Sequence, residues 1–311
     1  MNKYVIKIIF LLLLLTGMTA GCWSGSTPSM DENGRMETVA TIFPIADMAA
    51  HIGGERVMVT CLLPAGASPH TFEPTTDQVR KSFGSDLFLY MGGGLDDWAV
   101  KIAATGSDHQ VLLSLVGAAQ ERGWSPLPDP LATSQRNEPC NPHLWLDPLT
   151  ARDYLCPALA EAMVKTDPQN DAFYRANLRA YQQELTALDK EISASLDSLS
   201  NKSFVAVHSA WEYFAARYGL VQVAVITDFP GQEPSAAWIS GLVDLCRRHD
   251  VRVVAAEPQL SPAAAEMIAR EIGGSVIILD PLGGADIPQR KSFLELMRYN
   301  TAVLKDAFSE Q

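Results

Sequence analysis

The chain has 311 residues, 47% apolar and 19% charged, which is ample for a buried core and long for a single hydrophobic centre, so two lobes are expected. Lys and Arg number 24 against 36 Asp and Glu, a formal charge of −12. No basic stripe offsets that balance, which excludes nucleic acid as a natural partner, because phosphate backbones are bound by clustered cations.

At the start of the chain, Lys3 and Lys7 flank the approach to an unbroken apolar run from Ile8 to Leu15, and Thr19-Ala20-Gly21 is a small-residue stretch ending at Cys22. This pattern predicts an export signal over residues 1–21. The run is well short of the ~20 apolar residues that span a bilayer. The Thr-Ala-Gly-Cys ending resembles a bacterial lipoprotein signal, which implies lipid attachment at Cys22 and anchoring to the cell membrane, with simple secretion as the alternative. Loss of Lys3 and Lys7 with the signal would leave a mature charge of −14. Ser24, Gly25, Ser26, Pro28 and Ser29 mark residues 22–36 as a flexible tether.

From Thr38 onward short β-rich runs alternate with helical patterns, which predicts an α/β fold with mainly parallel sheets. Strands are expected over Val39–Phe43, Val57–Leu63, Leu87–Tyr90 and Val111–Leu115, then over Phe204–Val207, Val221–Ile226, Val253–Ala256 and Val276–Leu279. The Pro-rich stretch Gly117–Pro142 reads as a long loop. Between the two strand sets Tyr174, Leu178, Tyr181, Leu185, Leu188, Ile192, Leu196 and Leu199 recur at helical spacing, with Asp167 as N-cap and Pro168 at N1. The expected layout is an N-terminal lobe over 37–166, a rigid linking helix over 167–200 and a C-terminal lobe over 201–311. Each lobe is then a mostly parallel four-stranded sheet flanked by helices. Besides Cys22 the chain has Cys61, Cys140, Cys156 and Cys246. Export permits disulfides, and four thiols leave three connectivities open.

Six histidines are the main candidates for chemistry. His51 and His249 close helical patterns and His109 sits in a loop, so these three read as cap neighbours or ordinary surface residues. His208 ends the apolar run Phe204–Val207, and His70 lies in the Pro/Gly loop after the strand ending at Leu63. In open α/β sheets ligands bind beyond the carboxyl ends of strands, which favours both. Asp280 ends the last strand in the same way, and His143 follows Asn141-Pro142 at the exit of the long loop. From the residues alone the reading stops at a two-lobed exported α/β protein with a possible histidine-rich metal site.

Several motifs extend it. Pro69-His70-Thr71-Phe72-Glu73-Pro74-Thr75, Tyr90-Met91-Gly92-Gly93-Gly94-Leu95-Asp96-Asp97-Trp98 and His143-Leu144-Trp145-Leu146-Asp147-Pro148 are followed in order by Asp167-Pro168 with Tyr174 and Asn177, then Val207-His208-Ser209-Ala210-Trp211, Glu257-Pro258-Gln259 and Leu279-Asp280-Pro281-Leu282-Gly283. Together they resemble the solute-binding proteins of zinc and manganese ABC importers. The resemblance implies His70, His143, His208 and Asp280 as metal ligands, two from each lobe, and Zn²⁺ as transported cargo. It implies an ABC permease and its ATPase as partners, and a monomer outside the cytoplasm. Members tuned to manganese tend to have Glu where His208 stands, and imidazole suits Zn²⁺ while Mn²⁺ prefers oxygen. Many zinc members also carry a long His-rich loop, whereas Gly117–Pro142 has no histidine, which keeps Mn²⁺ as the alternative.

Three imidazoles and a carboxylate would close a tetrahedron, as in structural zinc sites, whereas catalytic zinc keeps a position for water. No His-Glu-x-x-His, Gly-x-Ser-x-Gly or phosphate-binding glycine loop occurs, so a binding protein is expected rather than an enzyme. The lesser alternatives are a zinc hydrolase using Asp147 or Glu257 as base and an adhesin. Asp147, Glu73, Glu233 and Glu257 read as hydrogen-bonding residues near turns or behind the histidines, and Trp98, Trp145, Trp211 and Trp238 as packing residues.

Overall fold

In the computed structural model, which describes residues 31, 33–104, 110–127, 140–227 and 229–310, the strands form two four-stranded sheets. β1 (Met36–Ala40), β2 (Val57–Cys61), β3 (Leu87–Tyr90) and β4 (Val111–Ser114) lie in the order β2-β1-β3-β4. β5 (Ser203–Ala206), β6 (Val221–Val225), β7 (Val253–Ala256) and β8 (Ser275–Ile278) repeat that pattern as β6-β5-β7-β8. All pairings are parallel, so each strand is followed by a crossover and both sheet faces are covered. In each sheet the chain steps out to one edge and then returns to the other side. A crevice therefore opens beyond the carboxyl ends of β1 and β3, and another beyond β5 and β7.

The first strand begins and ends three residues earlier than expected. Pro44 stands in the first turn of α1 (Phe43–Gly53), which fixes a helical start where the apolar pattern alone continues the strand. α2 (Thr76–Gly84) opens on a capping box between Thr75 and Gln78. α3 (Asp97–Ala103) follows a glycine turn in which Gly92 has φ +75, and a Cβ there would lie 2.6 Å from Ser114 Oγ. The expected loop from Gly117 begins inside α4 (Leu115–Glu121), which Ser114 caps through the Gly117 N–H. The interior of that stretch, residues 128–139, lies outside the described residues, as do the signal, Cys22 and His109.

A helical turn (Pro148–Thr150), a π-helical turn (Ala151–Leu155) and α5 (Cys156–Thr166) form one continuous rod. In π geometry Arg152 looks five residues ahead to Pro157, which has no N–H, and Gln182 Nε2 takes that carbonyl at 3.0 Å instead. The long helix is shorter than expected. A 3₁₀ turn (Pro168–Asn170) precedes α6 (Asp171–Leu196), whose 26 residues extend about 39 Å at 1.5 Å per residue. Asp167 does not cap backbone N–H groups, because its Oδ2 accepts from the Tyr174 hydroxyl at 2.6 Å and from Asn170 Nδ2 at 2.7 Å.

The remaining helices are α7 (Glu212–Tyr218), α8 (Ala236–Arg248), α9 (Ala263–Ile272) and α10 (Phe293–Ser309). One hydrophobic core runs through both lobes. It joins Ile45 and Met48 of α1, Leu159 of α5, Tyr181, Leu188 and Ile192 of α6, and Phe293 and Met297 of α10. Smaller clusters cover the outer sheet faces, around Phe88 and Ile102 on one side and Val254, Leu242 and Ile268 on the other. A core continuous across the linking helix resists wide hinge motion, since parting it would expose apolar surface at about 25 cal/mol per Å². Among the described residues no helix is long and apolar enough to cross a membrane.

Trp145 and Trp211 are buried and Trp98 packs edge-on against Phe72, but Trp238 is 46% exposed and is not the packing residue expected. Its indole is instead tied to the Ile226 carbonyl at 2.9 Å. Cys61, Cys156 and Cys246 are free thiols. Burial pushes the Cys61 thiol up to about 11, so it is no ready nucleophile.

Candidate metal centre

The crevices of the two sheets face each other, and three histidines from separate loops converge there. His208 follows β5 by two residues and His70 lies in the loop after β2. His143 comes from the segment between α4 and the rod at Pro148. One nitrogen of each ring falls within 4.8 Å of the others. Ring centroids are 5.0 Å apart for His143 and His208, 5.4 Å for His70 and His143, and 5.6 Å for His70 and His208. Pro69, Trp145, Pro230, Leu260, Pro281 and Leu282 rim the group, so the site is apolar around a nitrogen centre.

Each ring presents its metal-binding nitrogen for a local reason. His143 Nδ1 lies 2.8 Å from Asn141 Oδ1, which leaves Nε2 pointing inward. Behind His208, Glu257 comes off the end of β7 and sets Oε1 2.8 Å from Nδ1. That contact is close enough for ion pairing but not aligned as a hydrogen bond, and both atoms otherwise stand without a hydrogen-bond partner. His208 Nε2 then faces His143 Nε2 at 3.2 Å, and His70 Nε2 is buried with no partner. Both rings turn Nδ1 toward an oxygen, and their Nε2 atoms meet across 3.2 Å, each offering a lone pair to a cation when its proton sits on Nδ1. A cation between the two nitrogens satisfies both. Burial, with a smaller contribution from the charge of His208, pushes the His70 pKa down to about 3, so that ring is neutral and ready to coordinate.

Asp280 stands apart. It is fully buried, and its oxygens are not among the donor atoms that gather within 4.8 Å. Oδ1 accepts from Gln259 Nε2 at 2.9 Å and from the N–H groups of Leu282 and Gly283 at 3.0 and 3.1 Å; Oδ2 accepts from Arg290 at 2.9 Å. Asn300 holds its backbone on both sides. The structure thus brings His70, His143 and His208 together and leaves Asp280 paired with Arg290.

The other acidic candidates separate clearly. Glu257 backs His208, whereas Asp147 touches no histidine. Asp147 accepts from Leu149 N–H and Thr150 Oγ1 and takes both arms of Arg217, at 2.8 and 2.6 Å. Glu73 and Glu233 are exposed. His51 lies in the last turn of α1, stacked on Tyr181 at 4.6 Å, with its pKa pushed up to about 9 by its side-chain bond to Asp47. Sequence reasoning did not single out Asn141, Arg217 or Arg290. The local signal for Asn141 was its place two residues before a histidine, where Asn side chains commonly bond back to the chain.

A family profile described as "Zinc-uptake complex component A periplasmic" matches residues 38–307. The "High-affinity zinc uptake system protein ZnuA" of Bacillus subtilis (strain 168) is 28% identical over 98% of this chain and 96% of its own length. The "Zinc-binding lipoprotein AdcA" of Streptococcus pneumoniae serotype 4 is 27% identical over 96% of this chain, which spans 61% of that longer protein. A crystal structure of a ZnuA deletion mutant with zinc bound superposes with a TM-score of 0.76 at 30% identity, over 89% of this chain and 99% of the other.

Proposed function

This chain belongs to the family of periplasmic zinc-uptake complex components, and from that premise we propose that it captures Zn²⁺ outside the cytoplasm and hands it to an ABC-type importer. The observation that carries the reading is the facing pair of imidazole nitrogens at 3.2 Å, with a third buried and unpartnered beside them. We assign His70, His143 and His208 as the ligands. Neutral nitrogen donors suit Zn²⁺ better than Mn²⁺. Structural zinc sites correspond to roughly 10 to 16 kcal/mol of apparent binding free energy, a nanomolar dissociation constant or tighter. In a competitive titration of the metal-stripped chain, Zn²⁺ is expected to displace Mn²⁺ at equal concentration. Retention of Mn²⁺ would overturn the zinc assignment.

Asp280 joins the ligand set by exchanging its Arg290 contact for the ion. Asp280→Asn keeps the shape of the side chain and most of its hydrogen bonds but weakens it as a donor to metal. As a ligand it makes the variant lose at least about tenfold in Zn²⁺ affinity, the lower end of what a removed coordinating or supporting group costs. Affinity unchanged within the error of the titration would leave Asp280 as the counter-ion of Arg290 alone.

The role is capture rather than catalysis. The carboxylates that would serve as a base are committed, Asp147 to Arg217 and Glu257 to His208. We further propose that the protein acts as a monomer, is anchored through lipid on Cys22, and releases its ion when the permease parts the lobes. Release needs such help because the shared core keeps spontaneous motion small.

A further inference from the structure

The segment carrying His143 follows the N-terminal sheet in sequence but is fastened to the other lobe. Asn141 Nδ2 donates to the Ser209 carbonyl at 2.5 Å and to Glu212 Oε2 at 2.9 Å. The Tyr213 hydroxyl donates to the Asn141 carbonyl, and Trp145 Nε1 donates to the Pro281 carbonyl, each at 2.8 Å. Arg217 of α7 grips Asp147. All these partners lie in the lobe of β5–β8.

The loop of His70 is held the other way. Trp98 of α3 donates to the Pro69 carbonyl at 3.0 Å, and the Phe72 ring packs against Trp98 at 5.1 Å. Among the described residues no hydrogen bond runs from residues 64–75 to the second lobe, which they meet through close approaches such as Ala65 beside Gly284.

We infer that Asn141 is a positioning residue that makes His143 part of the C-terminal lobe, so that His70 alone is withdrawn from the metal when the lobes part. The inference rests on the three-histidine reading of the site. Both acceptors at Nδ2 are oxygens that cannot donate, or are carboxylate, so the amide can point only one way and Oδ1 faces His143. Oδ1 accepts from the His143 backbone N–H at 3.0 Å and lies 2.8 Å from Nδ1. A neutral His143 therefore carries its proton on Nδ1 and its lone pair on Nε2, aimed at the metal position. The same amide group thus sets the tautomer and ties the ring to the lobe that bears His208.

Two variants of the full chain separate the two actions. Asn141→Asp keeps an acceptor for Nδ1 but presents a second oxygen to Ser209 and Glu212, while Asn141→Ala removes both functions. In ¹⁵N-histidine spectra of the metal-free chain, His143 is expected in the Nδ1–H form in the parent and in Asn141→Asp, and to lose that preference in Asn141→Ala. Zinc release into a chromogenic chelator is expected to be faster in both variants, by about 10- to 100-fold when the affinity lost with a group behind a metal ligand falls on the off-rate. Release from Asn141→Asp at the parent rate, or an Nε2–H His143 in the parent, would overturn the inference. A parent chain that takes up no zinc would instead sink the zinc reading, and the tautomer spectra would still decide the role of Asn141.

Discussion

His208→Ala is expected to weaken Zn²⁺ binding by about two to four orders of magnitude. A site worth roughly 10 to 16 kcal/mol, shared among three or four ligands, loses about 2.5 to 5 kcal/mol with each, and about 1.4 kcal/mol is tenfold in affinity. The loss is sharpened by what remains: Glu257, 3% exposed, would keep a buried carboxylate with no ring before it. A thermal melt of the metal-free variant separates that structural cost from the loss of a ligand. His249→Ala, at the exposed end of α8, and His109→Ala, outside the described residues, should leave affinity unchanged. Equal losses at His208 and His109 would refute the assignment.

Acidification from pH 7.5 to 5 should lower zinc affinity with a slope of no more than two protons per ion. Zinc takes neutral imidazole, so every ring that is charged in the metal-free chain must shed its proton on binding. An unperturbed imidazole gains charge near pH 6.5. His70 cannot contribute, because burial holds its pKa near 3 and it is neutral across the whole window. The count is therefore capped at two. Calorimetry in buffers of different ionisation enthalpy counts the protons released. A flat profile would remove the histidines from the site, and three protons per ion would show that His70 titrates with the others. The same shift acts on stability. Below about pH 6.5 the unfolded chain protonates His70 while the folded one does not, so the metal-free protein loses stability as pH falls from there toward 3.

Local pattern carried the strands and their grouping, because a buried parallel strand needs an apolar run and a turn on either side whatever surrounds it. Leu87–Tyr90 and Val253–Ala256 match to the residue. His70 and His208 were legible as candidates for the same reason, since the carboxyl end of a parallel strand is where a crevice forms. His143 was not, because nothing near Pro142 in the chain marks it, and only the ordered set of motifs singled it out. Helix ends were less legible: Asp167 has the residue type of a cap, yet Tyr174 and Asn170 claim its oxygen.

What the chain by itself determined was the set of parts: two parallel sheets, a long amphipathic helix and histidines at strand ends, each dictated by interactions within a few residues. Tertiary structure decided how those parts are used. Asp280 and Arg290 are ten residues apart, but whether that carboxylate faces a guanidinium or a metal ion depends on loop geometry that residue type does not encode. Asn141 meets Ser209 and Glu212 across 68 and 71 positions. Contacts that distant form only when the lobes have closed on one another, because their direction is set by the packing of whole helices and sheets.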